Sequence, residues 1–413
     1  MTRRPRKALI VGAGIAGPVA AILLKQAGIE AQVFEAWPHS TDIGGGLQIA
    51  PNGMHVLAQA NVASELIRRG SICESLDFYS QSGTPLGSVN RNMVQRFGQP
   101  AVSMRRAVLN GVLIDRAWTS NVELYFEKRL ARIEDRPDRS IVAHFTDGTS
   151  AEGDFLIGAD GVHSAVRDHV VPDAPKPFDT GLVGFGGFVQ GALLDAAGCR
   201  PSLAMTFGQS GFFGYGYCSN EPKRSAMCWS TQPAHGIDAA SFRAMDQAAL
   251  KRHLRRFHAG WHDPIPQLID ALEEIVVTAT LDIATMPTWS RGRTLLIGDA
   301  AHTTSPHAGQ GASIALEDAY RLVCALRDEQ EIVVAFQNFE RERRPRAERV
   351  VALARRNGNQ KREFSHPGAW IRDRMIKVLM PLNRRGWDWI YGYDPRAVTS
   401  PLQMSSRRDR QAA

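Results

Sequence analysis

The segment RTLLIGDAAHTTSPHAGQGASIALED, from Arg293 to Asp318, is the most informative part of the sequence for the fold. It opens with three apolar residues, 295–297, which are typical of the end of a buried strand. Gly298 then ends the strand, and Asp299 places a carboxylate at its carboxyl end. Ligands of open α/β sheets bind at this end of the strands. The pattern therefore predicts that Asp299 holds a hydroxyl-bearing chain of a ligand.

The second half of the same stretch predicts a surface for a flat ring. Gly309 and Gly311 flank Gln310 and are followed by apolar residues at helical spacing. The first turn of a helix offers free backbone N–H groups and a partial positive charge. Glycines let a flat ligand approach that backbone closely. We therefore expect an electron-accepting ring to lie against Gly309, Gly311 and Ala312.

The N-terminal segment carries the pattern of a dinucleotide-binding unit. An apolar strand at 8–11 leads into GAGIAG, and a helical stretch and a second strand follow, ending at Glu35. Gly12 permits the tight turn, Gly14 lets a pyrophosphate approach the backbone, and Gly17 allows the helix to pack closely on the strand. Glu35 lies at the spacing at which a carboxylate binds ribose hydroxyls. Strand, helix, second strand and acid all occur in the expected order.

Two further segments add polar side chains to the predicted ligand edge. A third strand ends at Asp160, and Ser164 and Arg167 follow at the start of a helix. Arg105 and Arg106 open another helix. One of this arginine pair is expected to bind a phosphate or ribityl oxygen, and a solvated helix start is the alternative for the other.

Substrate-side candidates are weaker, because each has an ordinary structural explanation. Gln48 lies in a glycine-rich segment that either crosses towards the ring or is a flexible connector. Tyr215 and Tyr217 lie on an aromatic strand, where packing is as good an explanation as substrate contact. His307 and His302 are either ring-side polar groups or satisfied turn residues, since a base must first meet a geometric test.

Composition limits the function classes. The chain has 413 residues with 44% hydrophobic content, enough for two domains that share a large core. Its net charge of +7 is spread along the chain, which favours anionic small molecules over nucleic acid. The five cysteines show no CxxC spacing, so we expect a reducing, cytoplasmic location and no metal site.

The N-terminus resembles an export signal, with basic residues before a charge-free run from Ala8 to Leu24. Cleavage there would remove the glycine motif, so we expect no export. No other segment approaches the roughly 20 apolar residues that span a bilayer.

Composition changes near Pro172, where a region rich in glycine and aromatic residues begins and extends to about residue 285. Its alternating patterns predict an antiparallel sheet. A long helix from Val333 to Arg356 follows the ring-binding stretch, with Pro345 kinking or restarting it. We interpret its arginine-rich run as a solvated face. Single helices are also expected at 54–69 and 242–257, and a single strand at 122–133.

The three motifs, in this order, resemble those of the single-component flavoprotein aromatic hydroxylases, the group typified by p-hydroxybenzoate hydroxylase. The resemblance covers most of residues 8–360. Within the group, the chain is similar to the salicylate hydroxylase and 6-hydroxynicotinate monooxygenase branch, through GGGLQIAPN at 44–52 and YGYD at 391–394.

The resemblance implies an α/β fold with a Rossmann-like FAD-binding domain of the GR2 type, an inserted antiparallel-sheet substrate domain and C-terminal helices. The expected bounds are 1–72, 101–175 and 286–345 for the discontinuous FAD-binding domain, 73–100 and 176–285 for the substrate domain, 346–400 for the helical region and 401–413 for a disordered tail. The FAD-binding residues that it implies are Gly12, Gly14, Ala16, Gly17, Glu35, Arg106, Leu130, Asp160, Arg167, Asp299, Gly309, Gly311 and Ala312.

Three positions depart from the family pattern. Ala36 replaces the arginine that is common after the ribose acid, and Ser313 replaces a frequent asparagine. Gln48 stands where the nicotinate branch has a histidine. The last departure weakens any transfer of that branch's substrate to this chain.

The reaction implied by the resemblance is aromatic hydroxylation. NADPH or NADH reduces the FAD, O2 forms a flavin C(4a)-hydroperoxide, and its distal oxygen passes to an electron-rich ring carbon. Tyr215, His307 and Gln48 are the substrate-side candidates, and a small phenol or N-heteroaromatic acid is the expected substrate of a monomer or homodimer. The alternatives are a tailoring oxygenase of a polycyclic natural product, a flavin reductase or oxidase, and a flavin-free escort or dissociation-inhibitor protein.

Overall fold

The computed structural model describes residues 6–39, 44–90, 92–220, 224–382 and 386–397. The strands are β1 (Lys7–Val11), β2 (Glu30–Phe34), β3 (Gly46–Ile49), β4 (Ser71–Ile72), β5 (Ser75–Ser80), β6 (Pro85–Asn90), β7 (Val102–Arg105), β8 (Glu123–Tyr125), β9 (Leu130–Asp135), β10 (Ile141–Phe145), β11 (Ser150–Gly153), β12 (Phe155–Gly158), β13 (Phe178–Gln190), β14 (Ser202–Phe207), β15 (Phe212–Tyr217), β16 (Ser225–Pro233), β17 (Val276–Asp282), β18 (Ser290–Arg291) and β19 (Thr294–Leu296).

The helices are α1 (Ala16–Gln26), α2 (Pro51–Gln59), α3 (Ala63–Arg69), α4 (Met93–Phe97), α5 (Arg106–Thr119), α6 (Ala165–Val170), α7 (Ala192–Ala196), α8 (Ala239–Arg243), α9 (Gln247–Phe257), α10 (Ile265–Ala271), α11 (Asp299–His302), α12 (Gly311–Asp328), α13 (Ile332–Asn359), α14 (His366–Leu382) and α15 (Asp388–Tyr391). A single 3-10 turn covers Pro306–Ala308.

A six-stranded sheet with the order β18-β19-β12-β1-β2-β8 forms the first large layer. All neighbours are parallel except β18 and β19. Its central strands are continuous apolar runs because parallel strands are covered on both faces, and Leu9 and Ile157 are fully buried. Helices α1 and α5 pack on it, and α12 packs against α1. The expected Rossmann-like α/β fold is confirmed.

A seven-stranded sheet, with the order β17-β13-β16-β15-β14-β5-β6, forms the second large layer. The sequence predicts an antiparallel sheet, but β14 runs parallel to β5, so the sheet is mixed. The reason is that the β5–β6 hairpin enters from residues 75–90, far from the rest of the sheet in sequence. The domain boundaries themselves stay a prediction.

The two faces of this sheet have different surroundings. Phe213, on one face, belongs to an apolar cluster formed with helices α8, α9 and α10. Met227 and Trp229 lie on the other face, in a cluster that also contains Ala308, just before the start of α12. A Cβ added to Gly46 would lie 2.3 Å from the sulfur of Met227. The second face therefore meets β3 and the glycine turn before α12.

Several predicted elements are each divided in two. The strand expected at 122–133 is β8 in the six-stranded sheet and β9 in a separate antiparallel sheet, with Glu127 at a φ of 59° between them. The helix expected at 54–69 breaks at Asn61, which has the same φ of 59°. The helix expected at 242–257 is divided between α8 and α9. Asp246 caps the start of α9, where its carboxylate accepts a hydrogen bond from the N–H of Ala249. A local polar cap or a left-handed residue interrupts the apolar period in each case.

The C-terminal part also departs from expectation at one point. Helix α13 runs through Pro345 as one element of 28 residues, so the proline does not restart it. The tail expected to be disordered, 401–413, lies outside the described residues. No helix in the described ranges is long and apolar enough to cross a membrane.

Candidate active site

The glycine loop between β1 and α1 combines two close contacts with one open position. Gly12 has a φ of 107°, and a Cβ there would lie 2.4 Å from the carbonyl oxygen of Ala159. A Cβ on Gly17 would lie 2.0 Å from the carbonyl oxygen of Gly12. At Gly14 the nearest atom is 4.0 Å away, on the guanidinium of Arg106. The loop is therefore packed at its ends and open in the middle, where a ligand can approach.

Glu35 lies directly beside this loop. Its carboxylate accepts hydrogen bonds from the N–H groups of Ala13, at 2.7 Å, and Trp37, at 3.1 Å. The backbone oxygen of Glu35 accepts from the N–H of Lys128, which brings Leu130 at the start of β9 to the same end of the cleft. This geometry fits a carboxylate that faces a ribose.

Helix α5 completes the loop from the other side. Asn110 donates to two carbonyl groups of the glycine loop, at 2.8 and 2.6 Å. Arg106 is exposed beside Gly14, and no carboxylate pairs with its guanidinium within the described residues. Arg105 instead places its guanidinium 4.0 Å from the ring centre of Phe188. Of the predicted pair, Arg106 is therefore the phosphate candidate, and Arg105 lies over the seven-stranded sheet rather than in solvent.

Asp299 lines an internal cleft. Gly298 before it has φ 59° and ψ −141°, a conformation that essentially only glycine adopts. Surrounding protein raises the pKa of Asp299 by desolvation, while the positive charges of His302 and Arg106 oppose that rise. Nevertheless the residue is exposed. Asp299 is surrounded by protein but its side chain is accessible, so it must face an open cleft. A cleft at this position fits the predicted ligand chain.

The side chains of the Asp160 motif bind protein groups on two neighbouring loops. Asp160 accepts from the hydroxyl of Ser164 and from two N–H groups of α6, so it caps that helix. Arg167 is 2% exposed and donates to the carbonyls of Asp299, at 3.0 Å, and Ala300, at 2.8 Å. Both side chains thus have protein partners, and their contact with FAD stays a prediction. They join two ligand-binding loops and position them.

The start of α12 has the geometry expected of a ring-binding surface. Gly309 adopts a left-handed φ of 60° with nothing within 4 Å of an added Cβ, and Gly311 begins the helix. Ala312 is half-buried in the first turn. Ser313 accepts from the N–H of Ala50 at 3.1 Å. The serine that departs from the family pattern thus ties β3 to the helix start.

A buried ionic network supports these loops from behind. Glu317, Asp318 and Arg343 are each fully buried, and Arg343 reaches the two carboxylates at 2.7 and 2.8 Å. Asp318 also accepts from His302 at 2.5 Å and from the N–H of Gly298 at 3.0 Å. His302 and Arg343 outweigh the effect of burial and lower the pKa of Asp318 to about 2. The network holds the turn that carries Asp299.

Sequence reasoning missed this network, because it assigned the arginine run of α13 to a solvated face. Arg343 is instead 0% exposed, and Arg346 binds Glu317 at 2.7 Å while lying 3.9 Å from the ring centre of Tyr393. A signal was available. Arg343 lies four residues after Phe339 and four before Ala347, on the apolar stripe of the helix.

The structure separates the three substrate-side candidates. Gln48 is half-buried on β3 and shares a strand face with Gly46, which meets Met227 of the large sheet. Strand alternation places Tyr215 on the sheet face opposite to Met227, among α8, α9 and α10, so the structure does not bring it beside Gln48. Tyr217 shares that far face and donates to Asp195 at 2.7 Å.

The two histidines also differ. His302 belongs to the ionic network through Nε2, and its Nδ1 is buried without a hydrogen-bond partner among the described residues. His307 lies in the 3-10 turn, and its ring packs against α13, where a Cβ on Gly358 would lie 2.6 Å from it. Both ring nitrogens of His307 are buried without a hydrogen-bond partner among the described residues. Burial lowers its pKa to about 2, so the ring is neutral.

An open position at Gly14, a free guanidinium at Arg106, an acid at Glu35 and an exposed carboxylate at Asp299 together fit a dinucleotide with a ribityl chain. Fold and site define the class: an FAD-binding α/β oxidoreductase. A family model described as "FAD binding domain" matches residues 6–354. The chain belongs to the family of FAD-dependent aromatic hydroxylases, and it is a monooxygenase.

Its relatives support this assignment. The chain is 31% identical to 3-amino-4-hydroxybenzoate 2-monooxygenase PtmB3 of Streptomyces platensis, over 96% of this chain and 98% of the relative. It is 29% identical to 6-hydroxynicotinate 3-monooxygenase of Pseudomonas fluorescens, over 95% and 96%. The solved structure of Klebsiella pneumoniae HpxO with FAD and uric acid has a TM-score of 0.82 and 28% identity, over 92% and 95%. The predicted family and cofactor are confirmed.

Proposed function

We propose that this enzyme uses NADPH or NADH to hydroxylate a small aromatic or N-heteroaromatic acid. The observation that supports this best is the placement of the exposed carboxylate of Asp299 and the start of α12 opposite an apolar sheet face that carries Met227 and Trp229. Named relatives act on 3-amino-4-hydroxybenzoate and 6-hydroxynicotinate, which are small rings of this kind. The overall change is ArH + O2 + NAD(P)H + H⁺ giving ArOH + H2O + NAD(P)⁺.

We assign the cofactor contacts as follows. The backbone at Gly14 and the guanidinium of Arg106 would bind the pyrophosphate, and Glu35 would bind the adenosine ribose, with Leu130 nearby. Asp299 would bind the ribityl chain. Bound FAD would supply the electron transfer and oxygen activation that side chains cannot provide. The first turn of α12, at Gly311 and Ala312, would stabilise negative charge on the ring through free N–H groups and the helix dipole.

The remaining residues of the proposed site position the binding groups and shield the ring from water. Arg167 and the Arg343 network hold the turns that carry Asp299, so the binding groups are preorganised. The apolar face of the large sheet excludes water from the ring. Gln48 faces this space and is proposed to orient the substrate. His307 is proposed to act as a neutral hydrogen-bonding group beside the ring.

The proposal is tested on the purified protein. We expect a flavin absorbance spectrum with one FAD per chain, and NAD(P)H oxidation that at least one hydroxylated aromatic acid accelerates. Comparing NADPH with NADH under the same conditions identifies the electron donor. A flavoprotein whose NAD(P)H oxidation no aromatic acid accelerates would contradict the proposed substrate class.

We further propose a cytoplasmic location and a monomeric or homodimeric state. The five cysteines are all free, which fits a reducing compartment. Cell fractionation and light scattering of the purified protein test these two statements separately.

A further inference from the structure

Lys361 is a buried cation with no anion beside it. It follows the end of α13 by two residues and is only 8% exposed. Its ammonium nitrogen lies 3.9 Å from the ring centre of Phe212. Within the described residues, no carboxylate lies within ion-pair distance of it. Burial alone shifts the pKa of Lys361, and lowers it to about 7.

Such a group is costly to keep. A buried charge without a partner is destabilising by several kcal/mol, on the order of the penalty for desolvating one ion. Lysines are almost never buried unless they are paired. Arg343 of α13 follows this rule, since it is fully buried and binds Glu317 and Asp318 at 2.7 and 2.8 Å. Lys361 has no such partner among the described residues, and a ligand is the natural missing partner.

The surroundings of Lys361 belong to the proposed substrate space. Phe212 lies on the sheet face of Trp229, with 6.3 Å between the ring centres. His307 is close enough that the charge of Lys361 helps to lower its pKa. Both ring nitrogens of His307 are buried and lack a partner among the described residues. One cation and one neutral imidazole thus border an aromatic floor, both with unused hydrogen-bonding capacity.

Other cations at this face are already engaged. Arg372 donates to the carbonyl of Gly208 at 2.7 Å and pairs with Asp373. Arg105 is stacked on Phe188, towards the other end of the face. Within the part of the chain that the structure describes, Lys361 is therefore the cation that remains available near His307.

We propose that Lys361 and His307 form a subsite for the carboxylate of an aromatic substrate. The ammonium pairs with one carboxylate oxygen, and an N–H of neutral His307 donates to the other. Two donors with no protein acceptor match the two oxygens of a carboxylate better than the single oxygen of a phenol. The ring of the acid then lies on Phe212 and Trp229. This inference rests on the proposed function and specifies its substrate class.

The test compares an acid with its neutral amide. Equilibrium dialysis of the FAD-bound enzyme would measure binding of 4-hydroxybenzoate against 4-hydroxybenzamide, and of 6-hydroxynicotinate against 6-hydroxynicotinamide. Wild-type enzyme should prefer each acid by at least about tenfold, the lower range of a buried charge-assisted contact. Lys361→Met should bind acid and amide equally, and Lys361→Arg should keep most of the preference. Lys377→Met, at an exposed lysine of α14, is the matched control and should behave as wild type.

Stability gives a second readout that a purely structural lysine would not produce. Removing an unpaired buried charge should raise the thermal midpoint of Lys361→Met, whereas loss of a stabilising contact would lower it. The inference is overturned if wild type shows no preference for the acid, or if Lys361→Met keeps that preference at normal FAD content. A wild-type protein that prefers the acids but holds no FAD would instead refute the proposed function and leave this subsite standing.

Discussion

Alanine substitutions at Gly14 and Gly17 should separate ligand binding from folding. An added Cβ at residue 17 would lie 2.0 Å from the carbonyl oxygen of Gly12, far inside ordinary contact. Helix α1 must then move away from β1, at a cost of about 1–3 kcal/mol or more, which is the usual penalty for overpacking. At Gly14 the nearest atom is 4.0 Å away, so the apoprotein accommodates a methyl group. The same methyl occupies the space proposed for the pyrophosphate.

Gly14→Ala should therefore leave the apoprotein stable and weaken FAD binding by roughly tenfold to hundredfold, the equivalent of about 1–3 kcal/mol of steric cost. Gly17→Ala should lower the thermal midpoint of the apoprotein by several degrees, at about 2–4 °C per kcal/mol. Circular dichroism of flavin-stripped protein measures the midpoint, and titration of FAD fluorescence measures affinity. Gly111→Ala is the control, because nothing lies within 4 Å of a Cβ added at this position of α5. It should lower neither the thermal midpoint nor the affinity for FAD. Normal FAD affinity in Gly14→Ala, or an unchanged midpoint in Gly17→Ala, would refute the reasoning.

Further predictions follow from the same contacts. Arg343→Met leaves two buried carboxylates without their shared partner, so it should lower the free energy of unfolding in denaturant by about 3–5 kcal/mol. An unchanged free energy of unfolding would show that the network does not stabilise the fold. Burial lowers the pKa of His258 to about 3, below the unfolded value of about 6.5. The unfolded state binds the proton first, so this contribution to stability is full above pH ~6.5 and is lost as pH falls towards 3. His258→Phe should flatten that part of the pH–stability curve. Tyr215→Phe should keep kcat/KM within about twofold, because the tyrosine ring lies on the far face of the sheet. Gln48→Ala should raise KM by about tenfold, which corresponds to the loss of one hydrogen bond. A larger kinetic effect of Tyr215→Phe than of Gln48→Ala would show that the two sheet faces are misassigned.

The nucleotide-binding fold was predictable because its determinants are contiguous. GAGIAG followed by Glu35 at a fixed spacing encodes the turn, the open position and the ribose acid within one short segment. The turn at Gly298 and Asp299 is equally local. Each residue acts within a few positions of its neighbours, so a linear pattern is sufficient.

Features that depend on distant partners were not predictable. The charge of Arg343 favours a position in solvent, and only the fold shows that Glu317 and Asp318 lie against it in the interior. Tyr215 lies on a strand that is buried on both faces, so alternation alone does not reveal which face meets the ring. The motif around Arg167 is local in sequence, but two of the backbone carbonyls to which Arg167 donates, those of Asp299 and Ala300, are brought near only by the fold.

A monooxygenase of this family inserts one atom of O2 into an aromatic ring. The most direct measurement supplies isotopically labelled O2 to the FAD-bound enzyme with NAD(P)H and a panel of hydroxylated aromatic acids, followed by mass spectrometry of the products. We expect one labelled oxygen in a ring hydroxyl for each NAD(P)H consumed in coupled turnover. Oxidation of NAD(P)H that yields only hydrogen peroxide with every acid, and no labelled product, would contradict this expectation.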